Sequence, residues 1–252
     1  CLCVVILHGT ATWLQQPGLE MWEMLPVTFI NSLSHIAVPL FVMLSGCLMV
    51  GRADYPPSYF IRRATRILIP FAVAVIAAFA FRILITGESL TVMQMVRQTV
   101  GGTAYYHLYF FPLILGLYLI APFTRGIATL PTATLFYALG GILMLANLSI
   151  LARAFTGDLI YSQPLSSWFY YLPYFLGAGW VLRHNDRFRH SVWIYLALAG
   201  LLTALAMLHQ FWGNIHITEL WHKNANILIV AMSVAAFVAL RQWSLRTPTQ
   251  RW

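Results

Sequence analysis

Three arginines and a few histidines are the residues here whose types and spacing could do chemistry. Arg62, Arg63 and Arg66 stand in Arg62-Arg63-Ala-Thr-Arg66-Ile-Leu-Ile-Pro70, between two apolar runs. On a helix, Arg63 and Arg66 share a face. Guanidinium groups clustered in this way can hold a phosphate or a diphosphate. The same cluster also suits a membrane border, where anchoring alone explains it and Arg62 can face lipid headgroups. His8, in Val-Val-Ile-Leu-His8-Gly-Thr10, lies near one end of an apolar stretch. Polar groups are costly in lipid, so such a histidine is a functional candidate. Its ordinary pKa of about 6.5 suits a general base that takes a proton from a hydroxyl. An interfacial histidine bonded to a neighbouring helix fits the same position.

Other histidines carry less. His107 opens His107-Leu-Tyr-Phe-Phe-Pro112 and either reaches the same cavity as His8 or sits in an aromatic belt. His35, in Ser32-Leu-Ser-His35-Ile-Ala-Val-Pro39, falls inside an apolar segment and can bond across a bundle without touching a substrate. Trp13, Tyr106, Trp168 and Trp221 lie among amides such as Gln15, Gln16, Gln163 and Asn214. Aromatic belts produce that pattern, and so does a sugar site, where rings stack and hydroxyls need partners. His209, His216 and His222 match no zinc spacing, so no metal is expected. There is no P-loop, GxGxxG, HExxH or CxxC, and no acidic pair within an apolar segment to suggest proton-coupled transport. Ser45-Gly46 is a small-residue step that permits close helix packing.

The elements that must position these residues are membrane helices. Of 252 residues, 60% are hydrophobic and 9% charged, against about 25% charged in a soluble domain. The mean hydropathy is +0.74. Apolar segments fall at about 1–13, 27–50, 65–86, 107–124, 132–152, 167–183, 191–211 and 224–243. The expected fold is therefore all-α, one polytopic transmembrane bundle of about eight helices over residues 1–252. A short interfacial helix is expected over 91–99. The first segment is too short to span, since a span needs about 20 residues. It has neither Met nor a basic flank and reads as an incomplete first helix, and Thr247–Trp252 reads as loop. Cys1, Cys3 and Cys47 sit in apolar runs with no disulfide spacing.

The net charge of +8 comes from 14 Arg and one Lys against seven acids. Nucleic acid is not the implied partner, because the arginines lie in short loops. One set of alternate loops holds Arg52, Arg62, Arg63, Arg66, Arg125, Arg183, Arg187, Arg189, Arg241, Arg246 and Arg251. The other holds Arg82, Arg97, Arg153 and Lys223, with most of the acids. The positive-inside rule puts the first set in the cytoplasm and His8 toward the outer face.

Three motifs in order carry a resemblance: Val38-Pro-Leu-Phe-Val-Met-Leu-Ser-Gly46, Arg63-Ala-Thr-Arg66-Ile-Leu-Ile-Pro70, and His107-Leu-Tyr-Phe-Phe with Tyr118-Leu-Ile-Ala-Pro122. They resemble the membrane-bound acyltransferase 3 family. Together with Tyr171-Leu-Pro-Tyr-Phe-Leu-Gly177, they are most similar to its branch that O-acetylates surface polysaccharides such as enterobacterial common antigen. The resemblance implies a parent of about ten helices in a bacterial inner membrane, with this chain incomplete at both ends. It implies acyl-CoA, notably acetyl-CoA, as donor substrate, a surface glycan or lipid-linked sugar as acceptor, and no permanently bound cofactor. His8 matches the family's helix 1 histidine, whose arginine partner, about three turns earlier, would precede Cys1. Arg63 and Arg66 match the RxxR motif. The family's helix 4 Glu has no counterpart in Leu113-Ile-Leu-Gly116, and His35 stands where the branch commonly has Arg. On this basis His8 and His107 are the catalytic candidates, Arg62, Arg63 and Arg66 the acyl-CoA contacts, and His35, Tyr106 and Trp13 the acceptor contacts. The competing class is a non-enzymatic exporter of, or membrane partner for, lipid-linked sugars.

Overall fold

The structure is a computed structural model. It describes residues 2–16, 18–50, 52, 54–100, 104, 108, 110–156, 167–183, 190–212 and 226–246. The described residues are helical throughout, with turns between and no strand. The helices are α1 (Leu2–Leu14), α2 (Met21–Ser34), α3 (Ala37–Met49), α4 (Pro57–Leu84), α5 (Val92–Val100) and α6 (Phe110–Ile120). A 3-10 helix over Ala121–Thr129 follows, then α7 (Thr132–Thr156), α8 (Ser167–Arg183), α9 (Ser191–Trp212) and α10 (Ile227–Arg246). Four stretches are long and apolar enough to cross a membrane: Met21–Met49, Ser58–Leu84, Ser191–Leu208 and Ile227–Ser244. Leu2–Leu14, Phe110–Thr124 and Thr132–Leu148 are apolar but shorter.

The segment expected over 27–50 is two helices. Pro39 explains the division. It has no N–H to donate, and its ring crowds the carbonyl of the residue four before it, His35. The helix accordingly ends at Ser34, His35 and Ile36 form a turn, and α3 starts at Ala37. The break leaves carbonyls at the end of α2 without helical partners. Two are taken up at once: His35 N–H donates to the Ser32 carbonyl (3.3 Å) and the Tyr195 hydroxyl of α9 to the Leu33 carbonyl (2.7 Å). At its other end α2 starts on a capping box, Glu20 and Glu23 each accepting from the other's backbone N–H. The expected short helix over 91–99 forms as α5. Thr91 and Gln94 make the same kind of reciprocal cap, and Val92, Met93 and Val96 are exposed as an interfacial face requires.

α3 runs through the middle of the bundle. It packs along α8 and also touches α10 and α1, while α2 lies between α1 and α9. The main core joins α3, α6, α8 and α10 around Met43, Met49, Leu113, Leu117 and Phe175, all fully buried. α4 packs on α6 and carries a smaller cluster of Val75, Phe79, Ala104 and Leu108. Beyond α4, Arg82 ties the following loop down. It pairs with Glu88 (2.6 Å) and donates to Gln98 (2.7 Å) and to the Ala104 carbonyl (3.3 Å). This guanidinium holds the Glu88 carboxyl below the usual carboxylate range.

The α3–α8 seam depends on Gly46. A Cβ there would meet the Phe175 carbonyl oxygen at 2.0 Å, backbone against backbone. Gly46→Ala should therefore destabilise the bundle by about 1–3 kcal/mol, the cost of overpacking. A melting curve in detergent reads it. Gly140→Ala, on α7 with nothing within 4 Å of the added Cβ, should melt at the wild-type temperature.

Candidate active site

The three arginines lie inside the first turns of α4, which begins at Pro57, eight residues earlier than the apolar run beginning at 65 suggests. A proline at the first position is pre-set for a helix and loses no bond there. Each residue advances the helix by about 100°, so Arg62 and Arg66 fall within about 40° of each other and Arg63 lies to one side. The environments follow that geometry. Arg62 is exposed and donates from Nε to the Ser58 carbonyl and from Nη2 to its hydroxyl, both 3.1 Å. Arg66 is exposed. Arg63 is partly buried, its Cζ 5.6 Å from the Tyr59 ring centroid and 5.3 Å from that of Tyr118 on α6. Of the three arginines, only Arg63 enters the bundle.

The rings that receive Arg63 are themselves braced. Tyr55 meets Tyr59 edge to face at 5.1 Å, and its hydroxyl donates to the Met49 carbonyl at the end of α3. Arg52 Cζ lies 5.8 Å from the Tyr59 ring. Residues from α3, α4 and α6, with Arg52 and Tyr55, so converge on one aromatic and basic cluster. Tyr59 and Tyr118 were not among the candidates drawn from the sequence. Tyr59 had a local signal, four residues before Arg63. Tyr118 had none, since its pairing with Arg63 is tertiary.

A second polar cluster joins α1 to α2. Asn31, buried, donates from Nδ2 to the Leu7 carbonyl (3.1 Å) and to Thr10 Oγ1 (2.8 Å). These two anchor points bracket His8, which is partly buried, and the Thr12 hydroxyl donates to the His8 carbonyl (2.9 Å). Asn31 Oδ1 lies 3.1 Å from His35 Nε2. Because an amide oxygen only accepts, that contact makes Nε2 the protonated nitrogen of His35. Asn31 and His35 therefore belong to one hydrogen-bonded neighbourhood, against the α1 turn that carries His8. It continues into α9, where Thr203 and the buried Ser32 hydroxyl bond at 3.1 Å. Asn31 is the member that sequence reasoning missed. Its signal was an amide within Val27–Ile36, one helical turn before His35.

Trp13 lies in the last turn of α1, partly buried. Tyr106 and His107 lie outside the described residues. A third feature is a cavity of about 680 Å³ between α3, α7, α8 and α10, with Met43, Leu139, Asn147, Tyr174 and Val234 among its walls. Its lining is almost wholly apolar, so it offers volume rather than reacting groups.

The all-helical architecture with membrane-spanning stretches agrees with one comparison. The acyltransferase 3 family, described as an acyltransferase domain, matches residues 1–252. The chain belongs to the acyltransferase 3 family. As a member it is a membrane acyltransferase domain. No curated protein and no solved structure matches it.

The acyltransferase chain holds α1 through Asn31, and that attachment is testable. Asn31→Ala removes the acceptor-matched donors and leaves the Leu7 carbonyl and Thr10 short of a partner. A loss of about 1–3 kcal/mol is expected for such a buried amide. Thermal unfolding in detergent measures it, and protease accessibility of α1 should rise with it.

Proposed function

We propose that the chain moves an acetyl or other acyl group from cytoplasmic acyl-CoA to a hydroxyl of a surface carbohydrate or lipid-linked glycan. The observation that carries this reading is the state of Arg63. It alone of the three arginines is drawn into the bundle, against two tyrosine rings, at the end of α4 that charge bias assigns to the cytoplasm. A guanidinium held there suits the phosphates of a coenzyme A. Arg66 and Arg62, exposed on the adjoining face, supply a wider positive field and contacts to headgroups. The family membership supports the acyl-transfer chemistry. The resemblance of Tyr171–Gly177 and the RxxR stretch to the polysaccharide branch supports O-acetylation in a bacterial inner membrane.

On this reading His8 is the general base. Its ring takes the proton of the acceptor hydroxyl, and the hydroxyl oxygen attacks the thioester carbonyl. The carbon–sulfur bond breaks, and coenzyme A leaves as a thiolate that gains a proton. Asn31 keeps the α1 turn in register, and His35 and Trp13 border the acceptor. His107 and Tyr106 serve the same side. The pantetheine arm spans the distance from the arginine cluster to His8.

Transfer of labelled acetyl groups from acetyl-CoA in membranes tests the assignment. His8→Ala should lower transfer by about two to four orders of magnitude, the usual share of a general base, with the protein still inserted. Arg63→Ala should instead raise KM for acyl-CoA about tenfold or more, as loss of a charge-assisted contact does, and spare KM for the acceptor. Normal transfer by His8→Ala would remove His8 from the chemistry.

A further inference from the structure

Tyr59 is 5% exposed, and its hydroxyl has no hydrogen-bond partner among the described residues. A buried hydroxyl without a partner is costly and uncommon in native structures. It stands beside a second set of unused donors. Arg63 meets the Tyr59 and Tyr118 rings through its charge, and a cation over a ring consumes none of its N–H groups. Among the described residues no acceptor takes an Arg63 N–H. Two neighbouring side chains, one turn apart on α4, thus hold unused donors, a guanidinium that can only donate and a hydroxyl that can donate beside it. The ligand that satisfies both is an oxyanion. The Tyr55 ring, held by its bond to the Met49 carbonyl, fixes the Tyr59 ring, so the hydroxyl is positioned before any ligand arrives.

We propose that the Tyr59 hydroxyl is a direct ligand contact, donating with Arg63 to one phosphate-type oxyanion, and that Tyr118 is a positioning residue that holds Arg63 for it. This rests on the acyl-CoA reading of Arg63 and adds the neutral donor of the same site. A coenzyme A phosphate and a lipid headgroup phosphate share the required chemistry.

Binding of inorganic pyrophosphate and of coenzyme A to the full chain in phosphatidylcholine nanodiscs tests it. Tyr59→Phe keeps the ring and its packing and removes only the hydroxyl. It should weaken both probes about three- to tenfold with a melting temperature no lower than wild type. Tyr118→Phe should bind as wild type, because the ring is retained, and Tyr118→Leu should bind several-fold more weakly. Wild-type binding by Tyr59→Phe, with binding lost in Arg63→Ala, overturns the Tyr59 contact and leaves the acyl-CoA reading standing. Pyrophosphate weakened by both variants, with coenzyme A affected by neither, keeps the oxyanion site and overturns the acyl-CoA reading. Phosphatidylglycerol that displaces pyrophosphate from wild type but not from Tyr59→Phe supports the site with a lipid headgroup as its source. Absence of binding of either probe to wild type overturns both.

Discussion

At Gly46 the backbone of α3 comes so close to the Phe175 carbonyl that no side chain fits between them. Lipid offers helices no hydrophobic gain on association, so contact of this kind is what holds a membrane bundle together. The consequences run outward from the seam. Met43 and Met49 on α3 and Phe175 on α8 are buried along it. The Met49 carbonyl then receives Tyr55, Tyr55 braces Tyr59, and Tyr59 receives Arg63. A chain of contacts thereby runs from a glycine in α3 to one charged group in α4.

Pro39 works in the opposite sense. It interrupts the helix where a bundle would otherwise have a continuous apolar rod. The carbonyls it releases are covered locally and by Tyr195. The turn also places His35 at the end of α2, within reach of Asn31. The buried polar side chains of α2, namely Thr28, Asn31, Ser32 and Ser34, gather just before this break. An apolar bundle can keep such a run only where partners are supplied: α1 supplies them to Asn31, α9 to Ser32, and the Ser34 hydroxyl donates to the Ile30 carbonyl of α2 itself.

Much of this was legible in the sequence, and the remainder fails for identifiable reasons. Hydropathy located the apolar helices because lipid demands it at every position. The small step at Ser45-Gly46 indicated close packing for the same reason. The extent of α4 was misjudged because arginines dilute hydropathy, while the helix itself, started by Pro57, accommodates them. The separate fates of Arg63 and Arg66 depend on Tyr118, which is distant in sequence. The division of 27–50 could have been read from Pro39 by asking which carbonyl it leaves without a donor. Asn31 carries no titratable proton to mark it in the sequence, although a buried amide serves equally well to hold a backbone in place.

None of the described residues of α1 is buried. The helix lies along α2 with its inner side chains only partly buried, and Asn31 bonds its Leu7–Thr10 turn. Apolar side chains on such a helix exchange a protein neighbour for a lipid tail at little cost, so the polar bonds of Asn31 weigh more in its attachment than they would for a buried helix. α1 behaves energetically as a docked ligand. Detergents and lipids that compete for hydrogen bonds would loosen it before the remaining helices separate, and the histidine it carries would leave the bundle with it.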